Sequence, residues 1–173
     1  KDVLNLVTFN KIPETRWIDI NHARFQLTNG GASVFQFISD ENPDLIVTGI
    51  GDIPSGEAIA AIKLAKEEVP ELRIRYVGIA ALSYAAIGTT ENKLKPQDFD
   101  DYFTTDKPII VNFHGYAESI RAIFSHYADM RRVDIHGYGD QGSTTSPLDE
   151  LTRNYCSRYD ICINILERTG HHE

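Results

Sequence analysis

The chain has 173 residues, 42% of them hydrophobic, which makes one domain of ordinary size with enough apolar side chain to bury a core. Seventeen basic residues against twenty-five acidic give a formal net charge of −8, a field that opposes non-specific nucleic-acid binding and leaves room only for a local basic pocket. The longest apolar runs, such as Ile109-Ile110-Val111 and Gly78 to Leu82, fall far short of the roughly 20 residues that cross a bilayer. Cys156 and Cys162 form no CxxC pair, so neither a disulfide framework nor a zinc cluster is legible and a reducing, cytoplasmic setting is expected.

In chain order, Val3 to Phe9 reads as a first strand, and because Lys1 replaces an initiating Met, a piece of a longer chain is expected. Trp17 to Leu27 follows, with Ile20, Ala23 and Leu27 at helical spacing, and Asn29-Gly30-Gly31 stops that helix. Ser33 to Ile38 alternates weakly and suits a short helix or an edge strand; Asp44 to Gly51 is an apolar run bounded by turn residues and is the better strand. Pro54-Ser55-Gly56-Glu57 opens a helix whose Ala58, Ala61, Ile62, Ala65 and Val69 form one stripe, and Pro70 ends it.

Leu72 to Val77 alternates with period two and runs into Gly78 to Leu82, a third strand. Ser83 to Gln97 shows no period and leads to a short acidic helix around Gln97 to Tyr102, and Lys107-Pro108 leads into the strand Ile109 to Phe113. Ile120, Ile123, Phe124 and Tyr127 mark a second amphipathic helix, and Val133-Asp134-Ile135 a short strand. After the loop Gly137 to Thr145, Ser146-Pro147-Leu148-Asp149 has the cap residue, the proline and the acid of a helix start, with helix expected to about Arg168 and a break near Ser157. Strand and helix alternate as in an α/β domain with a largely parallel sheet, one domain over residues 1–170, with His171-His172-Glu173 a tail that lacks a third ligand for zinc.

The loop holding Gly137, Tyr138, Gly142, Ser143, Thr144 and Thr145 has the make-up of an anion cradle, since glycine amides, hydroxyls and a helix N-terminus converge there, although the same residues build ordinary turns. Gly49 to Gly56 lacks GxGxxG spacing and reads as a strand-to-helix turn. The GxxxxGK[ST], GxSxG and HExxH motifs are missing, which argues against simple nucleotide hydrolysis, serine hydrolysis and zinc proteolysis. His114 and His136 each stand just past a strand and directly before a glycine, where α/β sheets carry functional groups, though a structural hydrogen bond is the commoner role. His22 and His126 are expected on helix surfaces or over an edge, and Asp98, Asp100 and Asp101 with Glu91 form a solvated acidic face rather than a calcium loop. Gly139-Asp140-Gln141 with Asn164 is only superficially like a thiamine enzyme's magnesium motif, because the third glycine is absent and Asn164 sits in a helix. No metal site is expected.

Several phrases in the same order carry a resemblance over nearly the whole chain. Asp44 to Pro54, Glu57 to Ala61, Pro70 to Val77, Phe103-Thr104-Thr105-Asp106-Lys107-Pro108, Phe113-His114-Gly115-Tyr116 and Gly137-Tyr138 with Gly142 to Asp149 resemble the C-terminal domain of phosphoketolase, and Asn10-Lys11 with Pro13 and Trp17, then Gly30 to Val34, look like the start of that domain. The resemblance implies a three-layer α/β/α unit with a mostly parallel, mixed sheet of about five strands, like the transketolase C-terminal domain. It also implies a homodimeric enzyme that uses thiamine diphosphate and Mg²⁺, held by domains outside this chain, to cleave xylulose 5-phosphate or fructose 6-phosphate with inorganic phosphate into acetyl phosphate and an aldose phosphate. The fragment alone is expected to bind no cofactor and to be inactive, and Lys11, in the matching Lys-x-Pro stretch, is implied to reach the sugar phosphate. Where the family usually continues with Pro and Trp this chain has Ala117 and Glu118, and His136 replaces a usual Arg, exchanging a fixed charge for one that depends on pH. Two alternatives stay open: a stand-alone regulatory or dimerisation module binding a phosphorylated metabolite at the Gly137 to Thr145 loop, and the C-terminal domain of another transketolase-like enzyme.

Overall fold

The computed structural model describes residues 7, 11, 13–82, 94–139 and 144–171. Five strands, β1 (Ala32–Val34), β2 (Leu45–Ile50), β3 (Ile74–Ile79), β4 (Ile109–Phe113) and β5 (Val133–Gly137), form one sheet in the order β1-β3-β2-β4-β5. The strand expected over Val3 to Phe9 lies outside the described residues apart from Val7, which is not in a strand. β2, β3, β4 and β5 pair in parallel, whereas β1 runs antiparallel to β3 with Ala32 opposite Ile79. Of the two structures open for Ser33 to Ile38, the chain takes the edge strand, and only as far as Val34.

Among the described residues the α-helices bounded on both sides are α1 (Ile20–Thr28), α2 (Asp52–Glu68), α3 (Pro96–Phe103), α4 (Ala117–Phe124), α5 (Pro147–Arg153) and α6 (Arg158–Arg168). Period-two burial divides the sheet into two apolar faces. Leu45, Val47, Ile74, Tyr76 and Ile110 meet Ala58, Ile59, Ala61, Ile62 and Ala65 of α2 and Ile161, Cys162 and Ile165 of α6. On the opposite face Ile46, Ile50, Val77, Ile79, Ile109 and Val111 meet Phe99 and Phe103 of α3 and Ile120 and Phe124 of α4. The three-layer α/β/α arrangement is the one implied by the resemblance.

Local chemistry sets the boundaries. α2 begins at Asp52, two residues before Pro54, and Val69 caps it ahead of Pro70. Ser146 caps α5, accepting from the Asp149 N–H, with Pro147 at the first helical position. The break near Ser157 is a second start, where Ser157 and Asp160 form a capping box for α6. Arg132 covers the end of α3, donating to the carbonyl oxygens of Phe103 at 3.1 Å, Thr104 at 2.8 Å and Lys107 at 2.7 Å, which satisfies groups that the helix leaves open. In the central strand, Gly49 admits no side chain, since a Cβ there would stand 2.5 Å from Ser55 Cα and 2.7 Å from the Tyr76 hydroxyl. That close approach seats the first turn of α2 directly on the end of β2.

Candidate functional site

The connection leaving β2 runs to β3 on one side, while β4 flanks β2 on the other, so the two strand ends part at a topological switch point, where open α/β sheets place their ligands. There a cavity of about 390 Å³ opens at the carboxyl edge. Ile53 and Pro54 from the first turn of α2 form one wall; Thr144, Thr145, Pro147, Glu150, Leu151 and Cys156 form the other; Phe113, His114 and Tyr138 lie between. A wider depression of about 450 Å³ lies at the opposite edge. Most of its charged groups pair among their neighbours, Asp44 with Arg73 at 2.5 Å, Arg168 with Asp134 at 2.5 Å and Lys107 with Asp106 at 3.4 Å, and the carboxyl-edge cavity, at the switch point, is the candidate site.

His114 and Tyr138 follow β4 and β5 and meet with ring centroids 4.8 Å apart. Tyr138 is placed by its N–H, which donates to Gly115 O at 2.8 Å and Phe113 O at 3.2 Å. Gly137 permits this, because a Cβ there would stand 2.5 Å from the Ala117 N atom. Thr144 and Thr145 line the cavity, while Gly142 and Ser143 lie outside the described residues. The Thr145 hydroxyl donates to the Asp149 carboxylate, and Asp149 and Glu150 bring two negative charges to the first turn of α5. His136, expected just past its strand, lies inside β5, because the pairing with β4 continues through Asn112 opposite His136 to Phe113 opposite Gly137. It turns under the sheet toward α6, with Nδ1 2.6 Å from Tyr155 O and Nε2 2.9 Å from Asn164 Oδ1. Lys11 is exposed and is not among the residues lining the cavity.

Asn112, which the sequence reading passed over, is fully buried and donates to Pro54 O at 3.3 Å and Cys156 O at 3.1 Å, tying the two walls together from below. Its one signal in the sequence is a lone amide inside Ile109 to Phe113. Glu57 was missed as well: its buried carboxylate accepts from the Arg158 N–H at 2.7 Å, from Nε at 3.1 Å and from Nη2 at 2.7 Å, joining α2 to the start of α6. Burial pushes the Cys156 thiol up to about 12, with the nearby Asp160 charge adding to the shift, so the cavity wall holds a thiol and no nucleophilic thiolate at neutral pH.

The family model "XFP C-terminal domain" matches residues 11–173. The chain belongs to the phosphoketolase C-terminal domain family. Probable phosphoketolases from Rhodopseudomonas palustris (strain TIE-1) and Thermosynechococcus vestitus are 34% and 32% identical over 170 and 173 residues, in each case 97% of this chain. The chain spans only 22% and 21% of those relatives. Among solved structures, the transketolase from Leishmania mexicana superposes with a TM-score of 0.61 at 13% identity, covering 92% of this chain and 20% of that one. The transketolase from Campylobacter jejuni gives 0.55 at 13% identity, over 95% and 20%. These likenesses establish the fold.

No group of three or more His, Cys, Asp or Glu among the described residues is placed to hold a metal. Of the superficial magnesium motif, Gly139 donates its N–H to Asn154 Oδ1 at 2.9 Å, Asn164 spends its amide on His136 and Asp134, and Asp140 and Gln141 lie outside the described residues. No helix among the described residues is long and apolar enough to cross a membrane.

Proposed function

We propose that the chain is the C-terminal domain of a phosphoketolase that cleaves xylulose 5-phosphate, fructose 6-phosphate or both with inorganic phosphate to acetyl phosphate and an aldose phosphate. The observation that carries this is the family match over residues 11–173 within relatives about five times as long. Thiamine diphosphate, Mg²⁺ and the bond-breaking steps then belong to the remaining domains of a cytoplasmic homodimer, and this domain has a scaffolding role with one polar contribution, Lys11. A lysine is a mobile point charge suited to a phosphate dianion, and a charge-assisted contact is worth roughly 1.5–3 kcal/mol. In the full-length enzyme, Lys11→Ala is expected to lower kcat/KM by roughly one to two decades while leaving thermal stability nearly unchanged. Wild-type kinetics in that variant remove Lys11 from the site, and acetyl phosphate made by the isolated domain above background refutes the division of labour.

A second reading is favoured by the cavity itself: Tyr138, Thr144 and Thr145 of the proposed anion loop line it. In this reading a small metabolite docks there and regulates the enzyme. Asp149 beside the loop is paired with Arg153 at 2.9 Å, which offsets its charge, and the test is calorimetry of the isolated domain with inorganic phosphate and with the two ketose phosphates. Saturable binding that Thr145→Val weakens supports the reading, and heats of dilution alone reject it.

A further inference from the structure

The turn between α5 and α6 supplies Cys156 to the cavity wall, and its backbone is held in an unfavourable form. Tyr155 has φ 55°, left-handed for a residue that is not glycine, and its exposed side chain does nothing to fix it. Two side chains from facing positions of β4 and β5 grip the turn instead. Asn112 donates to Cys156 O at 3.1 Å, and His136 Nδ1 lies 2.6 Å from Tyr155 O.

The partners of His136 dictate how many hydrogens its ring carries. A peptide carbonyl only accepts, so Nδ1 donates. Nε2 faces Asn164 Oδ1 at 2.9 Å, and that amide is oriented from its other end, where Asn164 Nδ2 donates to Asp134 Oδ2 at 3.2 Å. Rotating the amide would turn its oxygen onto a carboxylate, which fixes the assignment. Burial alone would raise the Asp134 carboxyl, but hydrogen bonds from Arg168 and Asn164 outweigh it and hold the group below its ordinary range, so Asp134 is charged. Nε2 therefore also donates.

We propose that His136 is a positioning residue, a two-donor clamp with a hydrogen on each ring nitrogen, that fixes the Tyr155-Cys156 wall of the carboxyl-edge cavity. Loss of either hydrogen opens one end of the clamp. The other titratable groups on the elements around the ring have their own partners: Arg168 pairs with Asp134, Glu57 of α2 with Arg158, Asp160 with the Ser157 hydroxyl, and His114 beyond β4 packs on Tyr138. Asp134 supplies the opposing charge through Asn164.

Nitrogen NMR on the intact chain counts the ring hydrogens. The expected result is an N–H at both positions wherever the turn is protected from exchange. The amides of residues 154–157 all have acceptors, so their exchange reports the turn. His136→Phe keeps a ring but no donor, and is expected to speed exchange at 154–157 roughly tenfold or more while leaving β2 unchanged. If that variant fails to fold, the unsubstituted chain decides: raising the pH until a ring hydrogen is lost must speed exchange at 154–157 beyond the base-catalysed rise seen at β2. A bare ring nitrogen alongside a protected turn, an unchanged turn in His136→Phe, or parallel rises at the turn and β2 each overturn the clamp.

Discussion

Asn112→Ala removes the side chain that ties the first turn of α2 to the α5–α6 turn, and the structure sets the size of the effect. Two buried carbonyls, Pro54 O and Cys156 O, lose a donor at 3.3 Å and 3.1 Å. Pro54 O, inside α2, keeps its donor within the helix, whereas Cys156 O is left unsatisfied, which costs on the order of 1–3 kcal/mol, and the small void adds to this. In the other direction, Asn112 Oδ1 is itself buried with no partner among the described residues, so deleting it returns about 1 kcal/mol. The net expectation is a loss of about 1–2 kcal/mol, read as a lower urea midpoint at unchanged m-value, or a fall of roughly 2–8 °C in Tm. Asn112→Leu, which fills the space without donating, is expected to lose about 1 kcal/mol less than Asn112→Ala. A loss under about 0.5 kcal/mol for Asn112→Ala means that Cys156 O finds another donor and that the walls of the cavity are not tied through this residue.

Burial that pushes the Cys156 thiol up to about 12 implies that iodoacetamide at about pH 8 leaves it unmodified in the folded chain and alkylates it in urea; fast labelling without denaturant contradicts this. Asp134 has a lowered folded pKa, so its contribution is fully present above the ordinary carboxylate range and fades as pH falls through the lowered value. Asp134→Asn is therefore expected to cost about 1 kcal/mol or less at neutral pH, given its partial exposure, and to flatten the acid side of a stability-versus-pH curve measured by urea titration. Glu57→Ala strands the Arg158 guanidinium and the Arg158 N–H at the start of α6, and a loss of roughly 1–3 kcal/mol in the same assay is the expected outcome.

Periodicity carried most of the architecture. Ala58, Ala61, Ile62 and Ala65 are all fully buried on one face of α2, and Ile120 and Phe124 are buried on α4, because burying an apolar stripe is the dominant gain and leaves a repeating mark. The edge strand β1 stayed ambiguous for a physical reason: three residues pairing with one neighbour show no usable period. His22, expected on a surface or over an edge, has its Nε2 2.8 Å from Ser33 Oγ and its ring against Phe35. Such contacts resist prediction because they depend on how elements far apart in sequence come to rest. The same holds for Glu57 with Arg158, 101 positions away, and for His136, whose partner in the turn is a backbone carbonyl with no residue-type signature. At the site, His114, Tyr138, Thr144 and Thr145 were visible as strand-end and loop residues and do converge on one cavity, whereas His136 lies beneath it.

Trp17, the single tryptophan, stacks on Phe37 with ring centroids 6.2 Å apart and packs on the layer formed by α2 and α6. Phe99 stacks on Phe103 at 4.5 Å and on Tyr127 at 4.9 Å in the opposite layer. The sheet thus separates two optical reporters, indole emission on one side and the near-ultraviolet circular dichroism of the stacked phenol on the other, isolated by comparison with Tyr127→Phe. A partly folded species that kept one layer and shed the other would split these two signals along a denaturant titration. Their coincidence would mark both layers as one cooperative unit.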